Sequence, residues 1–262
     1  SVNLGKFNPQ NLSNVLLSVN QMGLSWRDLD SKKVGLGDKL LDSISANAGR
    51  FNPQNISRTL HSLNKMGISW RDLDSKKVDL SDQLLGSVSA NAGRFNPQEI
   101  AMTLLGLNQM GLSWRDLSSK KVGLCDRLLD SVSVNLGKFN PQNLSNVLLS
   151  LNKMGLSWGD LDSKRAGLSD KLLASVYHHI DDFNTQGLSN VLLSVNQMGL
   201  SWGDLASKKV GLCDKLLVSV SKNTNDFKPQ EIAMALLGYA RMISKTVLGE
   251  AEKQKHVRVL DA

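Results

Sequence analysis

All six phenylalanines, Phe7, Phe51, Phe95, Phe139, Phe183 and Phe227, stand 44 residues apart. All five tryptophans, Trp26, Trp70, Trp114, Trp158 and Trp202, keep the same step, as do Met22, Met66, Met110, Met154, Met198 and Met242. A period held through five copies without an insertion or deletion marks a stacked repeat array. One such unit cannot bury its apolar face without neighbours. Counting from each phenylalanine gives full copies at 7–50, 51–94, 95–138, 139–182 and 183–226, with a partial sixth copy and C-terminal cap at 227–262. Residues 1–6 repeat the sequence around 133–138 and read as the end of a preceding copy, so a longer natural chain is expected.

Within the second copy, Asn52-Pro53-Gln54-Asn55 opens a helix: asparagine caps free amides, and proline suits a first turn that needs no amide partner. In the third copy Glu99 stands where it completes a capping box with Asn96. Ile56, Thr59, Leu60 and Leu63 follow the spacing of a buried stripe, which predicts a first helix to about Met66. Gly67 ends it, as glycine does where the chain turns left-handed. Ser69-Trp70-Arg71-Asp72 caps a short helix to about Lys76. A last helix from about Ser81 to Asn91 buries Leu84, Leu85 and Val88, with Gly93 as its stop. No segment alternates with period two, so no sheet is expected. The fold class is all-α, an α-solenoid of five full 44-residue repeats plus a partial sixth.

The segment Phe95-Asn96-Pro97-Gln98-Glu99-Ile100-Ala101-Met102-Thr103-Leu104-Leu105-Gly106-Leu107-Asn108-Gln109-Met110-Gly111 resembles the first helix of octotricopeptide-type repeats, and its pattern recurs in all six copies. The tryptophan-bearing insert and the second helix fit that family less well. The resemblance implies a right-handed α-solenoid with a long concave face, of a type associated with RNA binding in organelles and, in bacteria, with secreted effectors. Fold alone does not carry function.

Catalysis has little to work with. The histidines, His61, His178, His179 and His256, recur at no repeat position. His178-His179 with Asp181 and Asp182 reads as a solvated loop before it reads as a metal cluster, and no phosphate loop or nucleophile elbow is present. An enzyme is not expected, nor a cofactor, nor a metal. No apolar run reaches the ~20 residues of a membrane span. Cys125 and Cys213 share a repeat position two copies apart, on the order of 20 Å at ordinary helix spacing and out of disulfide reach. A reducing compartment follows as the expectation: bacterial cytoplasm, organelle matrix, or host cytosol for an effector.

Two residue sets could carry recognition. Lys32-Lys33, Lys76-Lys77, Lys120-Lys121, Lys164-Arg165 and Lys208-Lys209 recur in each copy, so stacking would align them as a row of charge for a nucleic-acid backbone. They read equally as cations at a solvated helix end. Net charge per copy is modest, at +1, +2, +1, −1 and +1. The second set faces away from the apolar stripe of the first helix. One column reads Asn14, Arg58, Met102, Asn146, Asn190 and Met234; another Gln21, Lys65, Gln109, Lys153, Gln197 and Arg241; a flanking one Asn11, Asn55, Glu99, Asn143, Gly187 and Glu231. Such side chains hydrogen-bond base edges in helical repeats that read one base each. Copies three and six change together, however, at Glu99-Ala101-Met102-Gly106 and Glu231-Ala233-Met234-Gly238, which suits volume compensation in a packed surface. The tryptophans could stack on bases but read better as core anchors. The leading expectation is a non-catalytic binder of single-stranded RNA, about one nucleotide per repeat, with the lysine pairs on phosphates. The alternative is a protein-binding scaffold, part of a secreted bacterial effector, holding an extended peptide or protein on the same face. The RNA reading requires both residue sets on one face.

Overall fold

Asparagine and proline at the head of the first four copies do what their chemistry predicts. Asn52 Oδ1 accepts the Asn55 amide at 2.8 Å, Asn55 Oδ1 accepts the Asn52 amide at 3.4 Å, and Pro53 takes the first helical position. The computed structural model describes residues 7–32 and 35–244, with the side chains of Ser31 and Lys32 left out. The fold is an all-α solenoid of about six repeats, and no strand occurs among the described residues.

Two compact units divide the chain, 1–135 and 136–262. The first holds α1 (Pro9–Gln21), α2 (Trp26–Lys32), α3 (Leu36–Asn47), α4 (Pro53–Lys65), α5 (Trp70–Lys76), α6 (Leu80–Asn91), α7 (Pro97–Gln109), α8 (Trp114–Lys120) and α9 (Leu124–Asn135). The second holds α10 (Pro141–Lys153), α11 (Trp158–Lys164), α12 (Leu168–His179), α13 (Thr185–Gln197), α14 (Trp202–Lys208), α15 (Leu212–Lys222) and α16 (Pro229–Ser244). In the first unit α1, α4 and α7 lie side by side and touch one another more extensively than α3, α6 and α9 do. In the second, α10, α13 and α16 form the corresponding layer. Ile56, Thr59, Leu60 and Leu63 are fully buried, as are Leu84, Leu85 and Val88.

Repeats are joined by groups that helix ends leave orphaned. The first amides and last carbonyls of a helix have no partner inside it. The amide of Trp26, first residue of α2, donates to the carbonyl of Met66, just past the end of α4, at 2.8 Å; Trp70 donates to Met110 at 2.7 Å. In the second unit Trp158 donates to Met198 at 2.7 Å. This bond runs from one copy to the next, which explains why tryptophan and methionine keep a common step and why no residue is inserted between them. A second tie closes each of the first three copies: Asn91 Nδ2 donates to the carbonyls of Phe51 and Ser87, both at 3.0 Å, and Asn47 and Asn135 do the same to Phe7 and Ser43 and to Phe95 and Ser131. All three asparagines are buried.

The short helices are held by serine–aspartate boxes. Ser69 Oγ and the Ser69 amide both donate to Asp72 Oδ2, at 2.6 and 2.9 Å. These donors hold the Asp72, Asp116 and Asp160 carboxyls below their ordinary value, with burial opposing and nearby cations adding.

Gly67 sits at φ +83°, the left-handed turn its position predicts. The expected stop at Gly93 is corrected: the last helix ends at Asn91 and passes into a 3-10 turn, Ala92–Arg94, whose glycine has no positive φ. Where α3, α12 and α15 are preceded by left-handed Gly35, Gly167 and Gly211, α6 follows Asp79 at φ 63°. A side chain there is strained, so Asp79→Gly should stabilise the first unit by about 1 kcal/mol, measured by urea unfolding; a loss of stability would contradict it. Residues 245–262 of the expected C-terminal cap lie outside the described residues.

Candidate binding surface of the first helices

The three variable columns meet different fates. Asn55 is only 2 % exposed: besides its capping box, its Nδ2 donates to Ser13 Oγ (3.1 Å) and Gln10 Oε1 (3.3 Å) on the preceding first helix. Asn143 is also buried. Glu99 closes the box with Asn96, its Oε2 accepting the Asn96 amide at 2.9 Å. Glu231 Oε2 accepts the Lys228 amide at 3.1 Å and Thr185 Oγ1 at 2.8 Å, and these donors hold its carboxyl below the ordinary range. The expectation that this column reads bases is therefore corrected for Asn55, Glu99, Asn143 and Glu231. They stand at the third helical position, where Asn55 and Glu231 bond to the preceding copy, Glu99 closes its own helix start, and Asn143 is covered. Asn11 alone stays exposed, its amide donating to Asn8.

In the next column Asn14 is exposed and Arg58, Met102, Asn146 and Met234 are half-buried. Asn14 Oδ1 accepts Arg58 Nη1 at 3.3 Å and Gln10 Nε2 at 3.1 Å. Asn190 is buried within a run from Gly187 to Asn196 that is covered throughout, so it too drops out as a surface reader. Gln21, Lys65, Gln109, Lys153, Gln197 and Arg241 are all exposed. Gln109 Oε1 accepts Asn64 Nδ2 at 2.6 Å, and Gln197 Oε1 accepts Asn152 Nδ2 at 2.7 Å, so this column joins neighbouring copies while remaining open to solvent. Between the two columns run half-buried Leu17, His61 and Leu105 in the first unit. Burial, and secondarily the charge of Lys65, holds the His61 imidazole below its ordinary value of 6.5.

The linked changes of copies three and six have a packing cause. A Cβ on Gly106 would lie 3.0 Å from Leu60 Cβ, and one on Gly238 would lie 2.9 Å from the Leu192 carbonyl and the Leu193 nitrogen. Glycine lets α7 approach α4, and α16 approach α13, closer than serine at the equivalent Ser62 or Ser194 would.

Most of the described cation row is engaged elsewhere. Lys76 pairs with Asp30 at 3.3 Å and Lys120 with Asp74 at 3.2 Å, each reaching back to the preceding short helix. Lys77 pairs with Asp42 on α3, and Lys208 with Asp170 on α12 at 3.6 Å. Lys209 Nζ lies 4.9 Å above the Tyr177 ring of α12. Lys121, Lys164 and Arg165 are exposed; Lys33 and the Lys32 side chain lie outside the described residues. The engaged cations thus reach short helices and second helices, whereas the described side-chain bonds of the variable columns stay within the first-helix layer. Exposed pairs of this kind contribute about 0–1 kcal/mol each. Lys76→Ala and Lys120→Ala should accordingly lower unfolding free energy by under about 1 kcal/mol apiece; a larger loss in urea titration would contradict that.

The tryptophans are buried, which leaves no aromatic face for a base. One repeated surface feature lies outside both residue sets: Val78, Val122 and Val210 are 80 %, 92 % and 84 % exposed, each directly after a lysine pair. The signal is present in the sequence, since no apolar residue larger than Ala206 stands three or four positions before them. Among the described residues no group of His, Cys, Asp or Glu could hold a metal ion, and no helix is long and apolar enough to cross a membrane. Cys125 and Cys213 are buried thiols, each donating to the carbonyl of its own copy's tryptophan at 3.5 Å.

A family model described as a protein of unknown function, DUF1601, matches residues 2–16, 22–60, 66–104, 110–148, 154–192 and 198–236. Each of the longer segments opens at the methionine that follows a first helix and closes inside the next first helix. It thereby takes in the short helix and the second helix as well. No curated protein matches the chain.

Proposed function

This chain belongs to the DUF1601 family of tandem helical repeats, and from the surface its copies build we propose a non-catalytic scaffold that holds an extended segment of another protein against its first helices. One observation carries the reading: the first-helix layer of the first unit offers half-buried Leu17, Met102 and Leu105 beside exposed Asn14, Gln21, Lys65 and Gln109. Apolar contacts flanked by amide donors and acceptors suit a peptide, whose side chains and backbone need both. The same scaffold would serve as one module of a larger bacterial effector.

The octotricopeptide-type alternative, single-stranded RNA at about one nucleotide per repeat, keeps the exposed columns but loses its phosphate row. Nucleic-acid affinity depends on cations that neutralise phosphates and release counterions. Lys76, Lys77, Lys120 and Lys208 already have carboxylate partners. The deciding experiment offers the protein a displayed random-peptide library and a random single-stranded RNA pool in parallel, at low and raised salt. Peptide enrichment that survives raised salt is the expected result. RNA enrichment with steep salt dependence, and no peptide enrichment, would overturn the scaffold reading in favour of RNA.

A further inference from the structure

The middle helix of the first unit differs from its neighbours. Arg58, His61 and Lys65 stand at i, i+3 and i+7 on α4, one face of the helix. The equivalent positions are Asn14, Leu17 and Gln21 on α1 and Met102, Leu105 and Gln109 on α7, none of them charged. Two cations and a histidine therefore lie between two uncharged flanks.

Their lack of counter-charge sets them apart from the lysine pairs. α1 and α4 contain no acidic residue, and the one on α7, Glu99, is tied into its capping box at the helix start. Among the described residues neither Arg58 nor Lys65 has a carboxylate partner, whereas Lys76, Lys77 and Lys120 each have one. Arg58 gives one donor to the neutral Asn14 Oδ1 at 3.3 Å. That bond orients a guanidinium carrying five N–H donors and leaves its charge uncompensated. His61 is half-buried between the two cations.

We propose that Arg58, His61 and Lys65 form a docking strip for an acidic peptide segment, with Arg58 and Lys65 binding carboxylates and Leu17, Met102 and Leu105 receiving its apolar residues. The inference rests on the protein-scaffold reading and narrows it to one class of partner. Seven residues along a helix span about 10.5 Å. A polyproline II segment returns to the same face every three residues, a rise of about 9.3 Å. Acids three residues apart, separated by prolines, fit that span without ordering a flexible chain.

The test uses the full chain and two labelled probes: a proline-rich peptide with Glu at every third position, and its Gln counterpart. A single-stranded polyuridine RNA runs alongside. The Glu peptide should bind at least about tenfold more tightly than the Gln peptide, the effect of one charge-assisted hydrogen bond, and weaken as salt rises. Arg58→Ala with Lys65→Ala should remove that selectivity while leaving the helical circular dichroism unchanged. Equal binding of both peptides, or Glu-peptide binding unchanged in the double variant, overturns the acidic strip but leaves the scaffold reading standing. Binding of the RNA and of neither peptide overturns both.

Discussion

Alanine in place of Trp70 should lower the unfolding free energy of the first unit by about 3–5 kcal/mol, the cost of removing a large aromatic side chain from a closed site. Trp70 is 3 % exposed and opens α5. Its amide bond to Met110 survives the substitution, because alanine keeps the N–H, so the loss isolates the side chain from the backbone link between copies. Because stability in a repeat array is a sum of unit and nearest-neighbour terms, the defect falls on both copies that share the site. Urea titration followed by circular dichroism, with the slope unchanged, is the check. A loss below about 1 kcal/mol, the scale of an ordinary surface change, would mean that tryptophan is not the anchor its burial implies.

Serine at Gly238 is the second large effect, expected to cost about 1–3 kcal/mol as overpacking. Serine occupies the equivalent site in copies one, two, four and five, as Ser18, Ser62, Ser150 and Ser194. At Gly238 any Cβ would sit 2.9 Å from backbone atoms of Leu192 and Leu193, which cannot swing aside as a side chain does. α16 must then retreat from α13 and surrender contacts along a helix of 16 residues. Gly106→Ser should cost less, because its nearest contact is a single atom, Leu60 Cβ at 3.0 Å, and the backbone of Leu60 and His61 stands back at 3.4 and 3.6 Å. If the two substitutions proved equally harmless, the linked changes of copies three and six would have no packing cause.

Much of the frame could be read from residue spacing alone. Asn-Pro starts, Ser-x-x-Asp boxes and the glycine after the first five repeat methionines are local signals: their geometry is settled within four or five residues, and Asn52, Ser69 and Gly67 adopt it. The candidate surface was less legible, since exposure depends on what lies one copy away. Asn55 and Asn14 are both polar positions on the outer side of a helical wheel, yet Asn55 meets Ser13 and Gln10 across the layer and is closed, while Asn14 remains open. The lysine pairs hid their partners in the same way. Asp30 is 46 residues from Lys76, and nothing local to either reveals the pair. Gly93 misled for a different reason: a 3-10 turn needs no left-handed residue, so glycine there was not a stop.

The bond from the Trp26, Trp70 and Trp158 amides to the next copy's methionine carbonyl also bears on how such a chain can change over generations. The connector is made of main-chain atoms at both ends, so it does not depend on which particular copies are joined. Crossing over between equivalent positions inserts, removes or exchanges whole copies and recreates the same junction each time, whereas a single-residue insertion between the two partners breaks it. Surfaces such as the α4 strip can therefore be shuffled along the array as cassettes, and new combinations of binding faces arise without a new interface having to be found.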